Sequence, residues 1–164
     1  MNKKDFRSLG FTLIELLIVI ALLGALAVAM IAAIDPLEQF KRGQDTGVRN
    51  TSEEIYNAAV RYYSLKAKFP WTTAFTAQLA STRGTDFAAM ISAGELKTDF
   101  MTMAGARLTK AYMTGTTDSI VVCYQPTSKG MQLDENTKWT NAGVLTTGCK
   151  SQTGGTADCF WCLK

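Results

Sequence analysis

Four cysteines, one carboxylate inside an apolar run and a complete absence of histidine frame the chemistry open to this 164-residue chain. Without histidine it lacks the side chain most used for proton transfer and metal ligation near neutral pH. Cys159-Phe160-Trp161-Cys162 has the CxxC spacing of dithiol redox sites and zinc half-sites. A redox pair of that kind is expected at the start of a helix within a βαβ pattern, whereas this one stands two residues from the end of the sequence. Zinc would need a second half-site, which Cys123 and Cys149 do not form. The cysteines therefore read as two structural disulfides of an oxidising compartment, and no metal is expected. Four cysteines allow three pairings, and sequence alone does not choose among them. The preferred one joins Cys149 to Cys159 around a Gly-rich loop and leaves Cys123, on a strand, for Cys162.

No other catalytic constellation is present. The chain has no GxSxG, no phosphate-binding glycine loop and no HExxH, and the pairs Glu53-Glu54 and Asp134-Glu135 read as solvated helix and loop faces. No enzyme, no catalytic residue and no cofactor is expected. Lys129, Lys138, Lys150 and Lys164 with Trp139, Phe160 and Trp161 would suit a basic, aromatic surface for nucleic acid. The formal charge is only +3, however, so specific nucleic-acid binding is not expected either.

The elements that must position these residues divide unevenly. From Phe11 to Ile34 only Thr12 and Glu15 are appreciably polar, and a helix of that length reaches roughly 36 Å, enough to cross a bilayer. Lys3, Lys4 and Arg7 against Asp5 make the preceding segment basic, so the amino terminus is expected to stay in the cytoplasm and everything after Ile34 to be exported. The run is too long for the apolar core of a secretory signal peptide. An ordinary membrane anchor fits its length but not Glu15, because a carboxylate in the apolar region costs about 3 kcal/mol and needs a partner. A cut after Gly10 would create one. The new α-amino group of Phe11, cationic below a pKa of about 8, would lie four residues from Glu15 of its own chain or against that of a neighbour.

The string Gly10-Phe11-Thr12-Leu13-Ile14-Glu15-Leu16-Leu17-Ile18-Val19-Ile20 after a short basic leader closely resembles the processing site of type IV pilins and type II secretion pseudopilins. The resemblance implies cleavage after Gly10 by a prepilin peptidase, methylation of the new amino terminus at Phe11, and use of Glu15 in polymerisation. It further implies as partners copies of itself or other pilins in a fibre, membrane lipid before assembly, and indirectly an assembly platform and its ATPase. The location implied is the inner membrane, single-pass, and after processing a cell-surface or periplasmic fibre. Ala21, Ala25, Ala29 and Ala33 recur every fourth residue as a ridge that lets helices approach closely. Gly24 matches a glycine at which the resemblance implies local unwinding on assembly. The family's usual proline near Ala32 is replaced by Asp35-Pro36.

Four segments follow: a leader over 1–10, a polymerisation helix over 11–34, an amphipathic stalk helix over 35–70 and an exported head over 71–164. Asp35, Pro36 and Glu38 read as N-cap, first helical residue and capping-box acid of a restarting helix. Leu37, Phe40, Val48, Ile55, Ala59 and Tyr62 are expected along its buried face, with Lys41, Arg42, Asp45, Arg49, Glu53 and Glu54 largely elsewhere. Gly43 and Gly47 weaken its middle, and Asn50 or Thr51 could cap a second start. It should stop before Phe69-Pro70. In the head the expected elements are a helix over 87–96 and strands over 108–113, 119–124, 130–133 and 139–145. The fold class is α+β, a long amino-terminal helix packed on a small antiparallel sheet. Two competing functions remain, a monomeric membrane-anchored binding domain and an exported thiol oxidoreductase.

Overall fold

The computed structural model describes residues 10–33 and 35–164; Ile34 and the leader ahead of Gly10, with its Lys3, Lys4, Asp5 and Arg7, lie outside the described residues. The chain divides into two units at Leu37/Glu38. The first contains α1 (Leu13–Ala33), apolar around its whole circumference apart from Glu15 in the first turn. The 20 residues Leu13–Ala32 have a mean hydropathy of 2.8, long and apolar enough to cross a membrane, and none of them is buried within the protein.

The second unit is built on α2 (Pro36–Lys66), one uninterrupted helix despite Gly43 and Gly47. It ends where expected, three residues before Phe69-Pro70. Its closing turn runs through Ala67, whose φ of 53° is left-handed and whose N–H is donated to the Tyr63 carbonyl at 2.8 Å. Tyr63, Phe69, Trp71 and Phe75 then touch in series, tilted, stacked and edge-to-face, at centroid distances of 4.7, 4.6 and 5.4 Å, and carry the chain from helix into sheet. Trp71 also donates its indole N–H to the Thr116 carbonyl at 2.7 Å. Gly115 is what lets this ladder lie on the sheet: a Cβ there would come within 2.6 Å of the Phe75 ring.

The sheet has the order β1-β2-β3-β5-β4, from β1 (Phe75–Leu79), β2 (Ala111–Gly115), β3 (Ile120–Tyr124), β4 (Thr137–Trp139) and β5 (Phe160–Leu163). Every neighbouring pair is antiparallel. Between β1 and β2 lie α3 (Gly84–Ser92), α4 (Phe100–Ala104) and a 3-10 turn, Gly105–Thr109. The main core joins α2, α3, α4, the 3-10 turn and β1 to β3: Ile55, Ala58 and Ala59 of α2 meet Phe87, Met90, Met113 and Val122, all of them 0% exposed. The expected α+β fold is the one adopted.

Several local expectations are corrected. The strand expected over 108–113 begins only at Ala111, because Leu108 closes the 3-10 turn into the core. The helix expected over 87–96 runs from Gly84 to Ser92. Gly94, at φ 80°, ends it by donating to Ile91 while Glu95 donates to Met90, a pair of bonds that closes a helix through a left-handed residue. The strand expected over 130–133 is instead a helical turn, α5 (Lys129–Gln132). That over 139–145 folds back on itself after β4, because Gly143 at φ 76° turns the chain so that Thr140 bonds Val144 and Trp139 bridges Leu145. β1, α4 and β5 lie outside the expected elements.

The stalk stripe is also corrected. Leu37 and Phe40, expected inside, are 61% and 64% exposed, while Glu38 and Asp45 are buried. The carboxylates are inside because they have donors there. Asp45 accepts bonds from the Thr127 N–H and hydroxyl and, at 2.7 Å, from the Ser128 N–H; Glu38 accepts from the Gly130 N–H at 3.3 Å. A buried carboxylate with several donors is stable where an unpaired one would not be.

Candidate processing and assembly site

The amino-terminal site is set by the start of α1. Thr12 stands just ahead of the first helical residue and accepts the Glu15 N–H on its hydroxyl at 3.3 Å. Glu15 reaches back and accepts the Thr12 N–H at 2.9 Å and the Thr12 hydroxyl at 2.8 Å, both on Oε2. This reciprocal pair is a capping box, in which two backbone N–H groups that a helix start leaves without partners are satisfied together. The carboxylate also lies at the positive end of the helix dipole. In the intact chain Glu15 is thus held by Thr12. Sequence reasoning passed over this role, although Thr12-Leu13-Ile14-Glu15 carries the T-x-x-E signal.

Gly10 and Phe11 precede the helix and project from it. Phe11 is 86% exposed, and among the described residues nothing beyond its chain neighbours lies within 4 Å of where a Gly10 Cβ would be. Both residues of the Gly10–Phe11 bond are exposed and lie on non-helical backbone. Gly24 is continuous helix, and nothing lies close to it either. Ala21, Ala25 and Ala29 are exposed along α1.

The four cysteines lie in the second unit and form two disulfides, Cys123–Cys162 and Cys149–Cys159. The first joins residues directly opposite one another on β3 and β5. The second closes the Gly-rich loop, whose ends are also held by Lys150–Asp158 at 2.5 Å. Each cysteine of the CxxC is therefore bonded to a different distant partner, and the motif does not close on itself as a redox dithiol does.

Beside this disulfide frame lies a polar cluster that sequence reasoning missed. Asp45 of α2 holds the 127–128 segment as described, and Tyr124, buried next to it, donates its hydroxyl to the Met131 sulfur at 3.5 Å. Burial raises the Tyr124 phenol pKa, the Asp45 carboxylate adds to the rise, and Arg49 opposes it. Arg49 also lies over the Trp161 ring at 4.6 Å. Among the described residues no group of three or more Cys, Asp or Glu could hold a metal ion. Trp139 of the basic, aromatic set lies under the Lys164 ammonium at 3.5 Å, whereas Trp161 is buried against Tyr124. The set does not form one surface.

A family model described as a prokaryotic N-terminal methylation motif matches residues 5–31, from the leader through most of α1. No curated protein and no solved structure gives a match to the chain.

Proposed function

We propose that this chain, which carries at its amino terminus the methylation motif of type IV pilin-like prepilins, is a structural subunit precursor of a type IV pilus or type II secretion pseudopilus. The observation that carries the reading is the coincidence of three things at one place: the matched motif, an exposed Gly10-Phe11 bond, and a glutamate ordered at the start of an unburied apolar helix. A prepilin peptidase hydrolyses the Gly10–Phe11 amide with water, releasing the leader 1–10 with a Gly10 carboxylate, and the freed α-amine of Phe11 then takes a methyl group from a sulfonium methyl donor, which leaves as a thioether while the amine loses a proton. Before that step, residues 11–34 anchor the chain in the inner membrane with the amino terminus in the cytoplasm. Afterwards the helices leave lipid and pack on one another in a fibre, driven by an assembly platform and its ATPase.

Glu15 gives this transfer its selectivity. Both Thr12 bonds fall on Oε2, so Oε1 can take a cation, and the Phe11 amine of the same or a neighbouring chain is a cation of the right reach. A charge pair in an apolar environment is costly unless matched, which favours the one register in which amine and carboxylate meet. Residues 35–70 form the stalk and 71–164 the exported head, whose two disulfides suit an oxidising compartment. Those bonds also favour a structural head over a thiol oxidoreductase, since no cysteine among the four is free.

The test is intact mass and amino-terminal sequencing of membrane-extracted protein coexpressed with a prepilin peptidase. Wild type should begin at a methylated Phe11, and Gly10→Ala should remain full length. A wild-type chain that still begins at Met1 with competent peptidase present would leave a monomeric anchored domain and sink the fibre reading.

A further inference from the structure

The two sides of α2 are dressed differently. At about 100° per residue, Glu38, Arg42 and Asp45 share one side, where Glu38 and Asp45 bond the 127–130 segment. Phe40, Gly43 and Gly47 fall on the opposite side. There an open cavity of about 540 Å³ runs between them, Val48, and the Arg107 and Lys110 side chains from the 3-10 turn and its exit. The glycines make it a trough: Gly43 has open space above it, and at Gly47 a Cβ would meet Arg107 Nε at 3.2 Å. Phe40 adds an exposed apolar wall. Arg107 and Lys110 form no ion pair among the described residues. Such a trough suits a bulky apolar side chain flanked by carboxylates.

The chain itself displays that combination at Leu133-Asp134-Glu135, where α5 ends. Leu133 is 61% exposed, and Glu135 is exposed and forms no ion pair among the described residues. The turn is held in shape: the Asp134 carboxylate accepts the Asn136 N–H at 2.8 Å, its carbonyl accepts the Thr137 N–H at 2.8 Å, and the Thr137 hydroxyl donates to the Met131 carbonyl at 2.7 Å. A preordered knob loses little conformational freedom on docking. It is carried on the side of α2 that faces away from the trough, so it cannot fill the trough of its own molecule.

We infer that the trough along Phe40, Gly43 and Gly47 receives the Leu133-Asp134-Glu135 turn of a second copy of this chain, with Arg107 and Lys110 against its carboxylates. The contact uses two different patches and is therefore heterologous. Repeated from copy to copy it grows a helical filament rather than closing a two-fold dimer. This rests on the fibre reading above and adds where the heads of neighbouring subunits touch.

The experiment places a photocrosslinking benzoylphenylalanine at Leu133, or in a separate variant at Val19 of α1, in the full chain made by cells with the peptidase and assembly machinery. Irradiation should give multimers from both positions, with the residue-133 adducts mapping by mass spectrometry to peptides containing 39–48 or 106–110. Lys110→Glu should lower the residue-133 dimer about tenfold, and adding Glu135→Lys on the same chain should restore it. Multimers at position 19 with residue-133 adducts absent, or mapping to lipid, another protein or another surface, would overturn the contact and leave the fibre reading standing. No multimers at either position would overturn both.

Discussion

α1 and the unit that begins at Glu38 use apolar residues to opposite ends. α1 has the higher hydropathy yet buries none of its span, while the second unit, far richer in polar residues, takes Val122, Met113, Phe87 and Ile55 to 0% exposure. The difference lies in arrangement rather than amount. α1 is apolar on all sides, so no face of it is preferred and its burial waits on lipid or on other helices. α2 is apolar on one stripe only, which selects a face, and that face closes a core within the chain.

That contrast can be broken at points of decreasing size, using the full chain in detergent and unfolding followed by tryptophan fluorescence. Replacing Cys123 and Cys162 together with serine should cost the second unit about 4 kcal/mol, the loop-closure value for a separation of 39 residues. Far-ultraviolet circular dichroism should meanwhile keep the α1 contribution. A chain that loses α1 helicity as well would show the two regions to be one cooperative unit. Next, Asp45→Ala should cost about 3 kcal/mol, because it leaves the buried N–H groups of Thr127 and Ser128 without an acceptor. A change below about 1 kcal/mol would mean that water replaces the carboxylate there.

The sharpest paired test is Val122→Ala beside Val19→Ala. The first residue is 0% exposed and the second 50%, so the first change should cost about 2.5 kcal/mol and the second under about 0.5. Equal costs would refute the division of labour. The smallest effect is on pH. Because the Tyr124 phenol is raised in the folded chain, its contribution is fully present below the unfolded value of about 10 and is lost as pH rises above it, at up to about 1.4 kcal/mol per unit. Urea midpoints measured between pH 9 and 11 should fall in wild type and fall less in Tyr124→Phe. Parallel slopes would place the alkaline loss elsewhere.

How much could be read ahead of the structure follows the same divide. The apolar span and the methylation motif that runs into it were legible because each is carried by residues adjacent in sequence. The Thr12–Glu15 capping box is equally local, and its T-x-x-E signal stands in the sequence. In the second unit the end of α2 was legible from Phe69-Pro70 and β3 from its β-branched run. Asp45 was not, since apolar periodicity counts it on the outside and its donors lie 82 and 83 residues away. The same distance explains α5. Gly130 to Leu133 has no strong local preference, and the Glu38 and Asp45 carboxylates capture the N–H groups of this region. β1 and β5 are short strands whose pairing comes from β2 and β3, so nothing within them announces a sheet.

By itself the sequence determined the apolar helix, the α+β class and the presence of four cysteines with few choices of partner. Each rests on local composition or on interactions within a few residues, where loop closure costs little. Only the tertiary structure decided which strands lie side by side, that Cys123 faces Cys162, that two carboxylates of the stalk are buried, and that Gly43 and Gly47 leave a trough rather than a break. Those depend on groups far apart in the chain meeting in one place, and their energies exist only once the core around Ile55 and Val122 has brought them together.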